Sequence, residues 1–288
     1  MVATHRGPDG HTPKVRLLMP LLVCATPIGN LADITARVLD ALRAVDLIIC
    51  EDTRRTRGLL THYGIQSELL SFDQHQEERR TSQILPMLAE GRTLALVSDA
   101  GLPGLNDPGA RLIAAARQAD HDVTVLPGPT AVEAALISSG FASERFTFVG
   151  YLPRRESERC ELWRETTGWD WPVVAFESPR RLGGSLASLA AFDADRRVAV
   201  CRELTKLHEE VVLGTAAELA DRYEQAPKGE ITVVFDTPRP VVEPDRRAAA
   251  LAVAELAELG VSRRKAAGLV GELAGLGANE LYGESLNL

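Results

Sequence analysis

The chain has 288 residues, 45% of them hydrophobic, enough to bury a sizeable core in one large or two medium domains. Its formal net charge of -8 argues against a generally basic nucleic-acid binder, although local arginine clusters can still meet phosphate on an acidic chain. Cys24, Cys50, Cys160 and Cys201 are far apart and form no CxxC pair, which predicts reduced thiols in a cytoplasmic setting rather than disulfides or a metal site.

In chain order, residues 1–18 mix Gly, Pro, His, Thr and Arg without periodicity and are expected to be a disordered extension. A buried strand is predicted at 21–25, then the loop Thr26-Pro-Ile-Gly-Asn-Leu31 and a helix over 34–45. A second strand at 46–50 delivers Glu51-Asp-Thr-Arg-Arg-Thr-Arg57 and a helix that Gly64 ends. A strand at 68–72 and an amphipathic helix ending near Gly91 follow. The apolar run up to Val97 then opens into a loop crowded with acids, glycines and prolines, residues 97–109, with Pro108 near the first turn of a helix over 110–119. A strand at 122–126 meets the rigid turn Pro127-Gly-Pro-Thr130, and a helix over 131–139 stops at Gly140.

This βα alternation predicts a parallel or mostly parallel sheet with helices on both faces, whose ligands settle at the carboxyl ends of the strands. Residues 146–150 read as the last strand of this half, and the division expected is 1–18 extension, 19–150 N-terminal α/β domain, 151–240 second α/β domain and 241–288 helical segment. In the second half strands are predicted at 173–176, 198–201, 211–213 and 231–235, with helices at 156–166, 180–191 and 215–225. No apolar run reaches the roughly 18 residues of a membrane span.

Several function classes lack their signatures. There is no Walker A sequence, no GxGxxG after the first strand, no GxSxG elbow and no HExxH. What remains is a set of polar loops at strand ends in two α/β halves, with a cleft between them as the place for a ligand.

Seven motifs taken together resemble, in order and spacing, the RsmI-like ribosomal RNA small subunit methyltransferases of the tetrapyrrole-methylase superfamily. They are Thr26-Pro-Ile-Gly-Asn-Leu31, Glu51-Asp-Thr-Arg54, Val97-Ser-Asp-Ala-Gly101 with Asp107-Pro-Gly109, Pro127-Gly-Pro129, Phe176-Glu-Ser178, Arg202-Glu-Leu-Thr-Lys206 and Lys228-Gly-Glu230. The match runs from about Leu21 to Leu286, and it departs from the family's pattern at Leu102-Pro103 and at Gln74-His75-Gln76. The resemblance implies two α/β domains of the tetrapyrrole-methylase type with a cofactor cleft between them, plus C-terminal helices. It also implies S-adenosylmethionine as donor, the 2'-hydroxyl of cytidine 1402 of 16S rRNA in the small ribosomal subunit as acceptor, and a homodimer.

The resemblance sets the donor near Pro27, Asp99, Ala100, Gly101, Pro103, Pro127, Gly128 and Pro129 and near the second-domain residues Glu177, Leu204 and Glu230. Loop bracing explains Asp99 as an alternative, and turn geometry explains Pro127-Gly-Pro129. Methyl transfer to a hydroxyl depends on alignment, with a carboxylate or lysine available to take the proton. Asn30, Glu51, Asp52, Lys206 and Glu230 are the catalytic candidates, Asn30 and the Glu51-Arg54 loop being expected to face the acceptor; ion pairing explains the charged ones equally well. Arg54, Arg55, Arg57, Arg154, Arg155, Arg263, Arg264 and Lys265 are candidates for RNA phosphate, with solvated surface as the alternative. The rival readings are a corrinoid or porphyrin-precursor methylase and a non-catalytic ribosome-assembly factor.

Overall fold

The computed structural model describes residues 20–74, 76–104, 106–141, 144–237, 245–274 and 276–286; the expected extension at 1–18 and His75 lie outside the described residues. The first sheet contains β1 (Leu21–Cys24), β2 (Leu47–Cys50), β3 (Leu69–Ser71), β4 (Leu94–Val97) and β5 (Val123–Leu126), in the order β3-β2-β4-β1-β5. Every neighbouring pair is parallel. Strands β1, β2 and β4 are four-residue apolar runs buried throughout, as expected of a sheet covered on both faces.

Helices α1 (Ala36–Ala44) and α2 (Thr53–His62) cover one face, through Val38, Ala41, Leu42 and Leu60 against Leu22, Ile48 and Ala95. Helices α3 (Glu77–Ala89) and α4 (Ala110–Gln118) cover the other, through Ile84, Leu88, Leu112 and Ala116 against Leu21, Ile49 and Leu96. The crossover from β1 therefore leaves over one face and that from β4 over the opposite face, although the two strands are neighbours. That is the topological switch point of an open α/β sheet, where the loops part and leave a crevice.

Two helix starts differ from the sequence reading. Residues Leu31–Asp33 form a single 3-10 turn capped by the Asn30 side chain, and α1 begins only after Thr35, whose hydroxyl accepts from the Val38 N–H. A side-chain oxygen at an N-cap satisfies an orphan amide, so the helix starts at Thr35 rather than at Ile34. Helix α4 starts after Gly109, at φ 132, which only glycine adopts without strain, so Pro108 precedes the cap instead of sitting in the first turn.

The next part of the chain comprises α5 (Ala131–Ser139), β6 (Thr147–Tyr151), α6 (Glu156–Thr166), β7 (Val173–Glu177), α7 (Leu182–Phe192), β8 (Arg197–Arg202), β9 (Glu210–Thr215), α8 (Ala216–Arg222) and β10 (Ile231–Phe235). Its sheet is mixed, β6-β7-β10-β8-β9, with only β6 and β7 parallel. Side chains alternate between its faces with the period of two that a strand imposes. Val173, Val198, Val200, Val233 and Phe235 pack with Trp163, Leu186 and Leu219 of α6 to α8, while Val174, Ala199, Cys201 and Val234 pack with Ala135 and Leu136 of α5.

The strand read as the last of the first half thus belongs to the second sheet, where β6 lies beside β7. Helix α5 also packs on that sheet, so the chain changes over at Pro127-Gly-Pro129, earlier than residue 150. Pattern alone gives a strand's existence, whereas its partner is set by which apolar face it covers.

The described residues from Asp245 onward form a separate compact unit. Helices α9 (Arg246–Glu258), α10 (Arg263–Ala274) and α11 (Ala278–Ser285) pack around Ala250, Val253, Ala266, Ala267 and Leu281. Among the described residues no helix is long and apolar enough to cross a membrane.

The loop after β1 touches the loop after β8. The Asn30 N–H donates to Thr205 Oγ1 at 3.0 Å, and Glu203 and Thr205 take left-handed conformations, at φ 53 and φ 66. A Cβ on Gly29 would stand 2.8 Å from Thr205 Oγ1 and 2.9 Å from the Leu204 carbonyl oxygen, closer than real Cβ atoms come. Gly29→Ala should therefore push the two loops apart and lower the urea-unfolding free energy by about 1–3 kcal/mol; an unchanged midpoint would show that the contact is not tight.

Candidate active site

Two recesses open at the carboxyl ends of the first sheet's strands. The larger, about 420 Å³, has one wall of Glu51, Asp99, Ala100, Gly101, Leu102 and Asp107. Thr130 at the cap of α5 with Ala131 and Val132 of that helix, then Phe148, Tyr151, Phe176, Glu177 and Thr232 of the second sheet and Ser178 and Glu230 beside its strand ends, close it. This volume lies within the ~300–1,000 Å³ typical of small-molecule sites. The smaller recess, about 350 Å³, is lined by Thr26, Pro27, Ile28, Gly29, Leu31, Thr56, Gly58, Leu59, Ser98 and Lys206. Ile28, Arg55, Asp99, Ala100 and Glu230 line both, so the two spaces share a wall.

The shared wall is held by hydrogen bonds at the switch point. Thr26 and Gly101 exchange backbone bonds of 2.8 and 3.0 Å, joining the loops after β1 and β4. The Thr26 hydroxyl donates to the Ser98 carbonyl at 3.0 Å, and the Ser98 hydroxyl donates to the Gly101 carbonyl at 3.0 Å. Gly101 has φ 77, where a side chain would add strain. Asp99, projecting between the recesses, accepts the Asp52 N–H at 3.1 Å and lies 3.6 Å from the Arg55 guanidinium. It braces the loop after β2 while remaining on both walls.

Electrostatics separate the candidate residues. Burial, then the negative charge of Asp99, pushes the Glu51 carboxyl above its ordinary value. Burial, then the charges of Glu51 and Asp99, raises Asp107 to about 6. The hydrogen bonds from Arg54 hold Asp52 down at about 2. Burial by itself would lower the Lys206 ammonium, but its hydrogen bonds to Glu203 at 2.8 Å and Glu230 at 2.9 Å outweigh that and keep its pKa above the ordinary value.

The expected site residues gather unequally. Asp99, Ala100, Gly101, Glu177, Leu204 and Glu230 line the larger recess, and Pro27 the smaller. Glu177 is also a structural anchor: it ion-pairs Arg181 and accepts the Ser185 hydroxyl and the Ser178 N–H, both at 2.6 Å. Pro103, Pro127, Gly128 and Pro129 are not among the lining residues of either recess, and a Cβ on Gly128 would come within 2.9 Å of Ala25 Cβ; beside them it is Leu102 and Thr130 to Val132 that line the larger one.

Asn30 and Asp52 use their side-chain oxygens as caps, for the Ala32 and Arg54 N–H groups respectively. Of the arginines, Arg55 reaches both recesses and Arg54, beside it on α2, ion-pairs Asp52 at 2.8 Å. Arg57, Arg154 and Arg155 are exposed, Arg155 pairing with Glu158 at 3.3 Å. Arg263, Arg264 and Lys265 open α10 of the terminal unit, and the Arg263 guanidinium donates to the Ser285 carbonyl.

Sequence reasoning missed Asp107 as a wall residue, although it was quoted within Asp107-Pro-Gly109, and it missed the aromatic group Phe148, Tyr151 and Phe176. These rings meet edge to face, with centroids 4.9 and 5.6 Å apart. Only the assignment of β6 to the second sheet could have found them.

Comparison with known proteins accords with this geometry. A family model described as Tetrapyrrole (Corrin/Porphyrin) Methylases matches residues 20–220. Ribosomal RNA small subunit methyltransferase I of Thermotoga maritima is 44% identical over 75% of this chain and 97% of its own. The protein of that name from Escherichia coli O157:H7 is 38% identical over 91% of this chain and 93% of its own. Among solved structures, uroporphyrin-III-C-methyltransferase from Thermus thermophilus superposes with a TM-score of 0.54 at 20% identity, covering 75% of this chain and 93% of that one. A diphthine synthase does so with a TM-score of 0.62 at 14% identity, covering 75% and 89%. At these identities the structures share the fold, whereas the curated relatives fix the branch: the chain belongs to the ribosomal RNA small subunit methyltransferase I family, within the tetrapyrrole methylases.

Proposed function

We propose that this chain transfers a methyl group from S-adenosylmethionine to the 2'-hydroxyl of cytidine 1402 of 16S rRNA in the small ribosomal subunit, in the cytoplasm and as a homodimer. The observation that carries the reading is the pair of recesses sharing Asp99, Ala100, Arg55 and Glu230, one of ligand size and the other beside the basic start of α2. The chain's relatives, 38 and 44% identical, are named for methylation of small-subunit RNA. Buried, free Cys24, Cys50 and Cys201 agree with a reducing compartment. The homodimer rests on kinship, and a tetrapyrrole substrate has only the shared fold behind it.

The larger recess suits this donor. It combines small residues, Ala100 and Gly101, that let main chain approach a ligand with apolar Phe148, Phe176 and Ile231 and polar Ser178 and Thr232. Asp99, Ala100, Gly101, Glu177, Leu204 and Glu230 would hold it, with Thr130 to Val132 across from them. When bound, a sulfonium donor supplies an electrophilic methyl group and ends as a neutral thioether.

The chain's own task is alignment, which in oriented reactions contributes most of the rate. Asp99, by fixing the Asp52 amide, holds the loop that carries Glu51 against the shared wall. Glu51 has the raised basicity that a proton acceptor needs; Asp52, at about 2, is too weak a base, and Lys206 stays protonated between two carboxylates. Arg54, Arg55 and Arg57 on α2, with Arg154 and Arg155, are exposed and are the residues proposed to meet phosphates. Arg263, Arg264 and Lys265 offer a separate basic patch on the terminal unit.

The test is incubation of small subunits lacking the modification with labelled donor, followed by mapping of the label. Label at the 2'-oxygen of cytidine 1402 is expected; label elsewhere, or none in a protein that binds the donor, contradicts the reading. For the proton acceptor, Glu51→Gln should lower kcat by roughly 10²-fold with little change in KM for the subunit, and an unaltered kcat would remove Glu51 from that role.

A further inference from the structure

The charges around the larger recess do not cancel. Its carboxylates are Glu51, Asp99, Asp107, Glu177 and Glu230, and its one guanidinium among the described lining residues is Arg55. Glu177 is paired with Arg181, and Glu230 shares Lys206 with Glu203. Asp99 has Arg55 at 3.6 Å, but that arginine is 62% exposed and so contributes a screened charge. Glu51 and Asp107 have no basic side chain within ion-pairing distance among the described residues.

Half-buried carboxylates are ordinarily paired, and two left without a countercharge on one cavity wall mark a place for a cation. Among the described residues no such group is arranged as a metal site. Phe148, Tyr151 and Phe176 line the same cavity, and aromatic faces beside carboxylates are the environment in which organic cations are bound.

We propose that Asp107, assisted by Glu51, makes this cavity prefer a positively charged sulfonium ligand over its neutral thioether product, so that loss of the charge loosens the spent donor. The inference rests on the donor assigned above and deepens it: it names residues that decide between donor and product. Asp107 sits in the loop between β4 and α4, across which the Asn106 amide packs against Gly150 of β6, 2.9 Å from where a Cβ would be. The carboxyl is thereby presented to the cavity from a loop leaning on the second sheet.

The groups that face Asp107 are Glu51 after β2, Ser98 and Asp99 after β4, Arg55 on α2, and Tyr151 on β6, with Glu177 and Glu230 beyond them. Its pKa of about 6 gives the dependence a sign. Above that value the carboxylate is charged and the preference is complete; as the pH falls through about 6 it is protonated and the preference shrinks. A bound cation favours the ionised form, so donor binding near pH 6 should release a proton.

The experiment is isothermal titration of the full chain with S-adenosylmethionine and, separately, S-adenosylhomocysteine, at pH 7.5 and pH 5.5, in buffers of different ionisation enthalpy. The wild-type protein is expected to bind the sulfonium more tightly at the higher pH and to release a proton with it near pH 6. Asp107→Asn should cut the ratio of the two affinities on the order of tenfold, the scale of one charge contact in a partly screened site, leave thioether binding unchanged, and abolish the proton release. Glu51→Gln should move the ratio the same way by less. Equal weakening of both ligands, or an unchanged ratio in both variants, overturns the inference and leaves the donor assignment standing; failure of the wild-type chain to bind either ligand overturns both.

Discussion

Two backbone hydrogen bonds between Thr26 and Gly101 tie the loop after β1 to the loop after β4 at the point where the crossovers of the first sheet part to opposite faces. Each is worth only about 1 kcal/mol net, yet their geometric effect is large. They fix Ser98 and Asp99 between two recesses, and Asp99 in turn holds the Asp52 amide and so the whole loop after β2. Gly101 makes this closure possible because its φ of 77 admits the turn without Cβ strain.

The second sheet completes what the first one opens. Helix α5 follows a strand of the first sheet but buries Ala135 and Leu136 on the second, and Ile28 from the loop after β1 joins the same cluster as Leu204. That apolar contact, with the Asn30 to Thr205 hydrogen bond and the close approach at Gly29, positions Glu177, Glu230 and the aromatic strand ends opposite Asp99. A polar crevice formed by one sheet alone would stay wet; an apolar wall across from it lowers the local dielectric and makes each unpaired carboxylate matter.

Much of this was legible in the amino-acid order. The buried runs at Leu21–Cys24, Leu47–Cys50 and Leu94–Val97 announce a parallel sheet, and the polar residues that follow each run lie where a ligand-binding crevice needs them. What the order does not carry is partnership. The residues of β6 alternate as a strand in either sheet, and the choice is made by Phe148 packing against Phe176. For the same reason Tyr151 read as the first residue after the domain boundary, although it ends β6 and lines the cavity. Pro127-Gly-Pro129 marks a rigid turn correctly, but the backbone it directs exposes Thr130 to Val132 in its place. Caps are ambiguous in another way: Asn30 and Asp52 carry the side chains that a catalytic role and a helix start both favour, and only the bonds to the Ala32 and Arg54 amides distinguish the two.

The central claim is that the crevice closed by the Thr26–Gly101 bonds holds the methyl donor with its reactive end toward the recess that contains Lys206. The most direct measurement is a crystal structure of the chain grown with S-adenosylmethionine. The account predicts the ligand in the larger recess, against Asp99, Gly101 and Thr232, with its methyl group facing the shared wall of Asp99 and Arg55. A donor bound outside that recess, or one whose methyl group faces away from Arg55, would contradict it.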